Sequence, residues 1–455
     1  MTRVLAIDVG TSSARARLYD ERGLHVEGIE AQVHYTATRG HSGRMGEFDA
    51  DELVGIVRDA IDEAKREAGG SVDAVAASCF WHSLVPVDGD GKALGPVLTW
   101  RDTRAVDDAE ELARRLDGAA VYERTGAPLH PSFWPAKLSW LRRVQPDVFR
   151  DAARFLSFSD YLYSRLAGSA VTSLSMASGT GLLRLDGGWD DELLDAVGVD
   201  PERLPEIDGR PVGDDEAWFP ALGDGACSNL GAGCVTPDRA ALTIGTSGAL
   251  RTLLERKQVP RDRLFLYRLD ERRFVEGGAI SDGGNLVDWL RRTLADLRLD
   301  GVAAEPPDAH GLTFLTLLGG ERSPDWNAHV RGAIAGLTLA TEPRQIVQAA
   351  LEGVAYRFAE IAERMPDVRE VVATGGALLG SPDWMQIHAD VLSLPVTASG
   401  VAEASARGAA VFALERLGHE PAEAPLGRTY EPRPDRREAH QRARTRQRQL
   451  YEAVT

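Results

Sequence analysis

Apolar residues dominate three short runs at the start of the chain, Val4 to Val9, Ala14 to Tyr19 and Leu24 to about Tyr35, and their alternation predicts strands. An amphipathic stretch from about Asp51 to Ala68 predicts a helix, and the apolar segment Val72 to Phe80 a further strand. "VPVDGDGKALGPVLTW" reads as strand, hairpin and strand, with helices after it at about Asp102 to Leu116 and Ala136 to Val144. The Pro- and Gly-rich stretch Pro201 to Gly225 precedes a return to strand patterns, which places a boundary near Thr236 to Arg239. There "LTIGTSGALRTLL" is once more strand, Gly-Thr-Ser turn and strand; helices follow at about Asn285 to Leu297, Pro343 to Arg364, Pro382 to Leu392 and Ala404 to Leu417. The repetition suggests duplicated halves, although two unrelated hairpins use the same turn residues.

These elements fill 455 residues. That exceeds the size at which one hydrophobic core keeps growing, so two domains are expected, 1–236 and 237–455. With 43% hydrophobic residues the composition is that of an ordinary globular protein. No apolar run reaches the length of a membrane span, and the first residues lack a signal-peptide layout, so a cytoplasmic protein without a membrane partner is expected. The cysteines, Cys79, Cys227 and Cys234, have no metal-ligand spacing and should remain thiols. A net charge of −17 disfavours nucleic-acid binding. The basic tail "RPDRREAHQRARTRQRQL" reads as a solvated terminal helix. An anionic substrate would need locally placed cations, because charges beyond about 8 Å are screened. A homodimer stays open, since no pattern fixes the oligomeric state.

Chemistry concentrates in a few turns. Gly10-Thr11-Ser12-Ser13, between two strands, offers backbone N–H groups and hydroxyls in the concave arrangement that phosphate oxygens favour. Asp8 cannot bind phosphate directly, but it suits a Mg2+ ion lying between the two, and Arg15 adds a cation on the second strand. A polar hairpin with a capping aspartate is the plain alternative. A second such turn, Gly245-Thr246-Ser247-Gly248, would allow one polyphosphate to be gripped from both sides. Asp224, between Gly223 and Gly225, could project from a tight turn into a cleft and act as the base in a phosphoryl transfer, where the proton leaves late; an ordinary turn or N-cap aspartate would look the same. Gly375 and Gly376 would let a flat base or ribose approach the backbone, unless they only make a turn. Neither a GxxxxGK[ST] loop nor a GxGxxG after the first strand is present.

Taken in order, these segments resemble the FGGY family of carbohydrate kinases, within the actin, Hsp70 and sugar kinase superfamily. "DVGTSSARARLYD" is similar to the family's first phosphate motif, "TIGTSGALR" to its second and "VVATGGALLGSPDW" to its adenosine motif, and "GAIAGLTLATEPRQIVQAALE" fits its C-terminal signature. The N-terminal signature is partly kept in "PAKLSWL", with Trp134 where Pro, Ser or Thr is usual. "YERTGAPLHPSFWPAKLSWL", "TWRDTR", "GDGACSNLG" and "LLGGERSPDWNAHVRGAIAGLT" look like gluconate kinase segments.

The resemblance implies an α/β fold of two duplicated ribonuclease H-like domains around a central cleft. It also implies ATP and Mg2+ as cofactors and a sugar or sugar acid, gluconate first, as substrate. By it Asp224 falls on the catalytic aspartate, Asp8, Thr11 and Ser12 on the phosphate and metal loop, Gly245 and Thr246 on the second phosphate loop, and Gly284 and Gly376 on adenosine contacts. Trp81 and His82 fall where the substrate hydroxyls are read; "SCFWH" departs from the residues usual in gluconate kinases, and a satisfied core histidine is the alternative for His82. Asp102 could line the same cleft or merely cap a helix. Arg104, Arg124 and Lys137 are candidates to face a substrate carboxylate. A pentulose or polyol kinase and a non-catalytic nucleotide-binding switch remain as other readings.

Overall fold

The computed structural model describes residues 2–36, 38–39, 45–213, 216–255, 260–294 and 298–455. Five strands form the first large sheet: β1 (Val4–Val9), β2 (Ser13–Tyr19), β3 (His25–His34), β4 (Ala74–Cys79) and β5 (Ala217–Gly223), in the spatial order β5-β4-β1-β2-β3. β1 pairs antiparallel with β2, from Val4 opposite Tyr19 to Val9 opposite Ala14, and parallel with β4. Every residue of β1 and β4 is buried. Both faces are therefore covered, and that is why these runs are apolar throughout instead of cleanly alternating. Helix α1 (Ala50–Glu67) packs on β2 and β3, and its start is fixed by the Asp49 carboxylate, which accepts the Glu52 N–H at 2.9 Å. Helices α2 (Trp134–Val144) and α3 (Asp224–Gly231) complete the elements of this half that shape the site.

The second sheet contains β6 (Arg239–Ile244), β7 (Gly248–Leu254), β8 (Phe265–Arg268), β9 (Phe274–Ile280), β10 (Glu370–Thr374), β11 (Val396–Ser399) and β12 (Leu426–Tyr430), ordered β8-β9-β7-β6-β10-β11-β12. β6 stands between antiparallel β7 and parallel β10, as β1 stands between antiparallel β2 and parallel β4. The hairpin similarity in the sequence is thus a repeat of topology. Helices α4 (Gly284–Thr293), α5 (Pro343–Ala362), α6 (Pro382–Leu392), α7 (Ala404–Arg416) and α8 (Arg437–Val454) follow.

Two helices cross between the sheets. α7 comes from the second half of the chain yet lies on β1 and β4, and Ala406, Ala409, Ala410 and Phe412 join the first sheet's core. It crosses α3 at backbone contact: a Cβ on Gly231 would sit 1.8 Å from the Ala404 carbonyl oxygen, and one on Gly408 would sit 1.8 Å from that of Cys227. Buried Arg407 locks the crossing by donating to the Gly231, Gly23 and Ala422 carbonyls at 2.7, 3.1 and 2.5 Å.

Some expected elements differ. The helix expected from Asp102 runs only from Val106 to Arg115, because Asp102 turns its carboxylate to Arg104. The segment "VPVDGDGKALGPVLTW" holds the expected hairpin turn, with Val87 opposite Ala93 and the Asp88 and Leu94 N–H groups donating to the Lys92 and Pro86 carbonyls at 2.9 Å, but its strands find their longer partners elsewhere. Val85–Val87 pairs with Arg154–Leu156 and Val97–Leu98 with Met45–Phe48. The expected end of the helix after Asn285, residues 295–297, lies outside the described residues. The basic tail is a docked helix: His440, Ala443, Gln447 and Tyr451 are buried on one face of α8, and Gln447 donates to the Phe314 carbonyl at 2.7 Å. Cys79, Cys227 and Cys234 are buried free thiols.

Two glycine-to-alanine substitutions should have opposite signs. Gly408→Ala forces α3 and α7 apart and should cost about 1–3 kcal/mol. Gly55→Ala, within α1 with nothing near the added methyl, should stabilise by about 0.5–1 kcal/mol. Urea midpoints at unchanged slope measure both.

Candidate active site

Between the two sheets lies a cleft of about 230 Å³. Gly10, Thr11, Trp81, His82 and Asp224 line it from the first half, and Gly245, Thr246, Arg251, Tyr267 and Arg322 from the second. Residues separated by most of the chain's length therefore face one space. The Gly-Thr-Ser turns stand at the ends of β1 and β6. In each, the leading glycine N–H is consumed within the turn: Gly10 donates to the Ser13 carbonyl and Gly245 to the Ser247 carbonyl, both at 3.0 Å. The N–H groups of Thr11 and Thr246 donate to nothing among the described residues and are available to an anion.

Asp224 is the first residue of α3, half-buried, with its Oδ1 accepting the Gly225 N–H at 2.8 Å. Burial raises its pKa above the ordinary 3.8 and the nearby Asp8 charge adds to the rise, whereas Arg251 opposes it. Asp8 accepts from Ser78 Oγ at 2.8 Å and from Arg15 at 3.2 Å; burial raises its pKa despite both partners. Two carboxylates that repel one another beside a phosphate-type cradle suit a divalent cation, and Mg2+ typically takes only one or two protein carboxylates. No cluster of three or more ligating side chains occurs among the described residues.

The glycines flanking Asp224 have a different cause from the tight turn expected. Gly223 has ordinary extended angles, φ −66° and ψ 140°. What excludes a side chain is Trp81: a Cβ on Gly223, Gly225 or Gly179 would lie 1.8, 2.5 or 2.3 Å from its indole. The indole is buried, donates from Nε1 to the Ser175 carbonyl at 2.9 Å and meets Tyr267 edge-on at 5.2 Å between centroids. Trp81 thus sets the height of the backbone that carries Asp224. The next residue, His82, has φ +69° and directs Nδ1 to the Gly179 carbonyl at 2.5 Å. A carbonyl only accepts, so Nδ1 carries the proton. Burial, with Arg322 and Lys137 nearby, pushes the ring's pKa well below 6.5, so the imidazole is neutral and its Nε2 is an acceptor.

The remaining expected residues divide. Gly284 donates to the Gly245 carbonyl at 2.7 Å, and Gly375, at φ +87°, lies against the backbone of Ile244; both therefore border the second turn. Space above Gly376 is open. Ser12 is exposed and does not line the cleft. Arg15 is occupied by Asp8 and Glu403. Asp102 is not brought to the cleft: its carboxylate is held by Arg104, which also pairs with Glu47. Arg124 is held by Asp190 and Glu192, and Lys137, on α2, donates to the His82 carbonyl at 2.5 Å, its pKa lowered by burial to about 7. None of these three cations lines the cleft. Those that do, Arg251 on β7 and Arg322 in a loop, were not singled out by the sequence pattern, which carries no signal for which arginine turns inward.

The chain matches the N-terminal domain of the FGGY family of carbohydrate kinases over residues 3–210 and the family's C-terminal domain over residues 240–415. It is 30% identical over 452 residues to a gluconokinase of Bacillus subtilis, covering 91% of this chain and 88% of that one. Among solved structures it is similar to a xylulose kinase from Lactobacillus acidophilus (TM-score 0.91, 28% identity, 100% of this chain and 98% of that one). A gluconate kinase from the same species superposes with a TM-score of 0.90, again at 28% identity and the same coverage.

Contact between Trp81 and the backbone on either side of Asp224 is testable as a coupling. Gly223→Ala should destabilise by about 1–3 kcal/mol, and Trp81→Leu should recover at least about 1 kcal/mol of that in the double variant. Strictly additive urea midpoints would separate the two sites.

Proposed function

The chain belongs to the FGGY family of carbohydrate kinases, and from that premise we propose that this ATP-dependent sugar kinase phosphorylates the primary hydroxyl of a sugar acid, with D-gluconate as the preferred substrate. The observation that carries the reading is the convergence of Asp224 and both Gly-Thr-Ser turns on one cleft between the sheets. The likeness to gluconate kinases supports the choice of sugar.

In this reading Asp224 accepts the proton of the attacking hydroxyl. Its pKa, raised by burial and by Asp8, makes it a better base than a solvated carboxylate, and a loose transition state asks little of it until the new bond is forming. The free N–H groups of Thr11 and Thr246 donate to the phosphate oxygens from either side. His82 accepts a substrate hydroxyl at Nε2, which its bond to Gly179 leaves as the lone-pair nitrogen. Asp8 and Asp224 would hold Mg2+, which when bound neutralises charge on the phosphates. The crossing of α3 and α7 joins the sheets, and closure of the two halves around both substrates would keep water from replacing the sugar.

A ketose such as xylulose is the second reading, supported by the xylulose kinase likeness and by His82 in the cleft. A coupled ADP assay with gluconate, xylulose, ribulose, glycerol and erythritol separates the two: the highest kcat/KM is expected with gluconate, and preference for a neutral acceptor would replace it.

Asp224→Asn should lower sugar-dependent ADP release about 10²- to 10⁴-fold while calorimetry finds nucleotide binding largely intact. In the wild type, kcat/KM should fall with decreasing pH through an apparent pKa above 3.8, because the base must be ionised and its pKa is shifted upward. An acid limb at or below that value would remove Asp224 from this role.

A further inference from the structure

Arg322 is the cation in the cleft without a partner. Among the described residues its guanidinium makes no hydrogen bond or ion pair, its Nε is enclosed and unsatisfied, and its contact is the face of the Trp100 ring at 4.9 Å. Its neighbours in the loop are fully engaged on the other side. Glu321 pairs with Arg357 and accepts from Tyr451 Oη at 2.7 Å, and Asp325 pairs with Arg448 at 2.7 Å. Ser323 fastens the loop to β9, donating its N–H to the Ala279 carbonyl at 2.9 Å and accepting the Ala279 N–H at its Oγ at 3.0 Å. The loop is fastened at Glu321, Ser323 and Asp325, its acids face away, and its arginine faces in. Beside it the Tyr267 hydroxyl, also lining the cleft, is likewise buried and unsatisfied. A half-buried guanidinium whose enclosed Nε has no acceptor, beside an enclosed phenol without a partner, is costly unless a ligand completes them, and a planar fork of N–H donors matches a carboxylate.

We propose that Arg322, assisted by Tyr267, binds the carboxylate of the sugar acid and so determines selectivity for an acid over a neutral polyol. This rests on the sugar-acid reading above. It replaces Arg104, Arg124 and Lys137, which are occupied elsewhere, as the counter-charge for an anion in a chain of net charge −17.

The test compares D-gluconate with D-glucitol, which has a hydroxymethyl group in place of the carboxylate. In Arg322→Gln the loss in kcat/KM should be at least about 30-fold greater with D-gluconate than with D-glucitol, arising mainly in KM for the acid, with a smaller loss of the same kind in Tyr267→Phe. Thermal unfolding of each variant checks the fold; if Arg322→Gln does not fold, Arg322→Lys, which keeps the charge and loses the fork, is expected to show the same selectivity loss at smaller size. Equal losses with both acceptors, together with a raised KM for ATP, would assign Arg322 to the transferred phosphate and overturn the inference. Wild type that phosphorylates gluconate beside an Arg322→Gln variant of unchanged KM would overturn it while leaving the sugar-acid reading intact. Wild type that ignores sugar acids and uses xylulose would overturn that reading first and this inference with it.

Discussion

The rest of the structure depends on the backbone contact between α3 and α7. Gly231 and Gly408 let the two helices cross at a separation that no side chain tolerates, and Arg407 fills the crossing with hydrogen bonds to three carbonyls. Because α3 begins with Asp224, the same crossing that joins the halves also fixes where the acidic group stands. Widening it would move Asp224 relative to both Gly-Thr-Ser turns, and a displacement of about 1 Å at a reacting group can cost on the order of 100-fold in rate.

Around the cleft, charge is arranged by local compensation. Asp8 and Asp224 repel one another, Arg15 and Arg251 moderate them from beneath, and His82 and Lys137 are kept short of full protonation by burial. Most other candidate cations near the site are bound to acids of their own. The chain's negative balance is thus not felt in the cleft, whose local field is set by a few buried groups at short range.

The parts of this arrangement that were legible in the sequence are local in the chain. A strand followed by Gly-Thr-Ser and another strand can be read from consecutive residues, and the repeat of that pattern foreshadowed the matching positions of β1 and β6. Asp224 stood out through its glycines, although their reason is an indole from residue 81, which no spacing rule reaches. Asp102 looked available because the sequence does not reveal that Arg104 folds back on it. The tail looked solvated because its charges outnumber its apolar residues, yet the few buried ones share a face of α8. Arg322 carries no local signal of its role, since only tertiary contacts decide that Glu321 and Asp325 turn to buried partners away from the cleft while Arg322 turns into it.

The placement of α7 bears on how the polypeptide acquires its shape during synthesis. β1 and β4 are among the earlier segments to leave a ribosome, but the helix that covers them spans Ala404–Arg416. Their apolar face therefore stays bare until nearly the whole message has been read, a long interval in which the nascent first half is exposed to aggregation. Completion of the first sheet is in this sense a late event, and it arrives together with the closing of the joint between the halves.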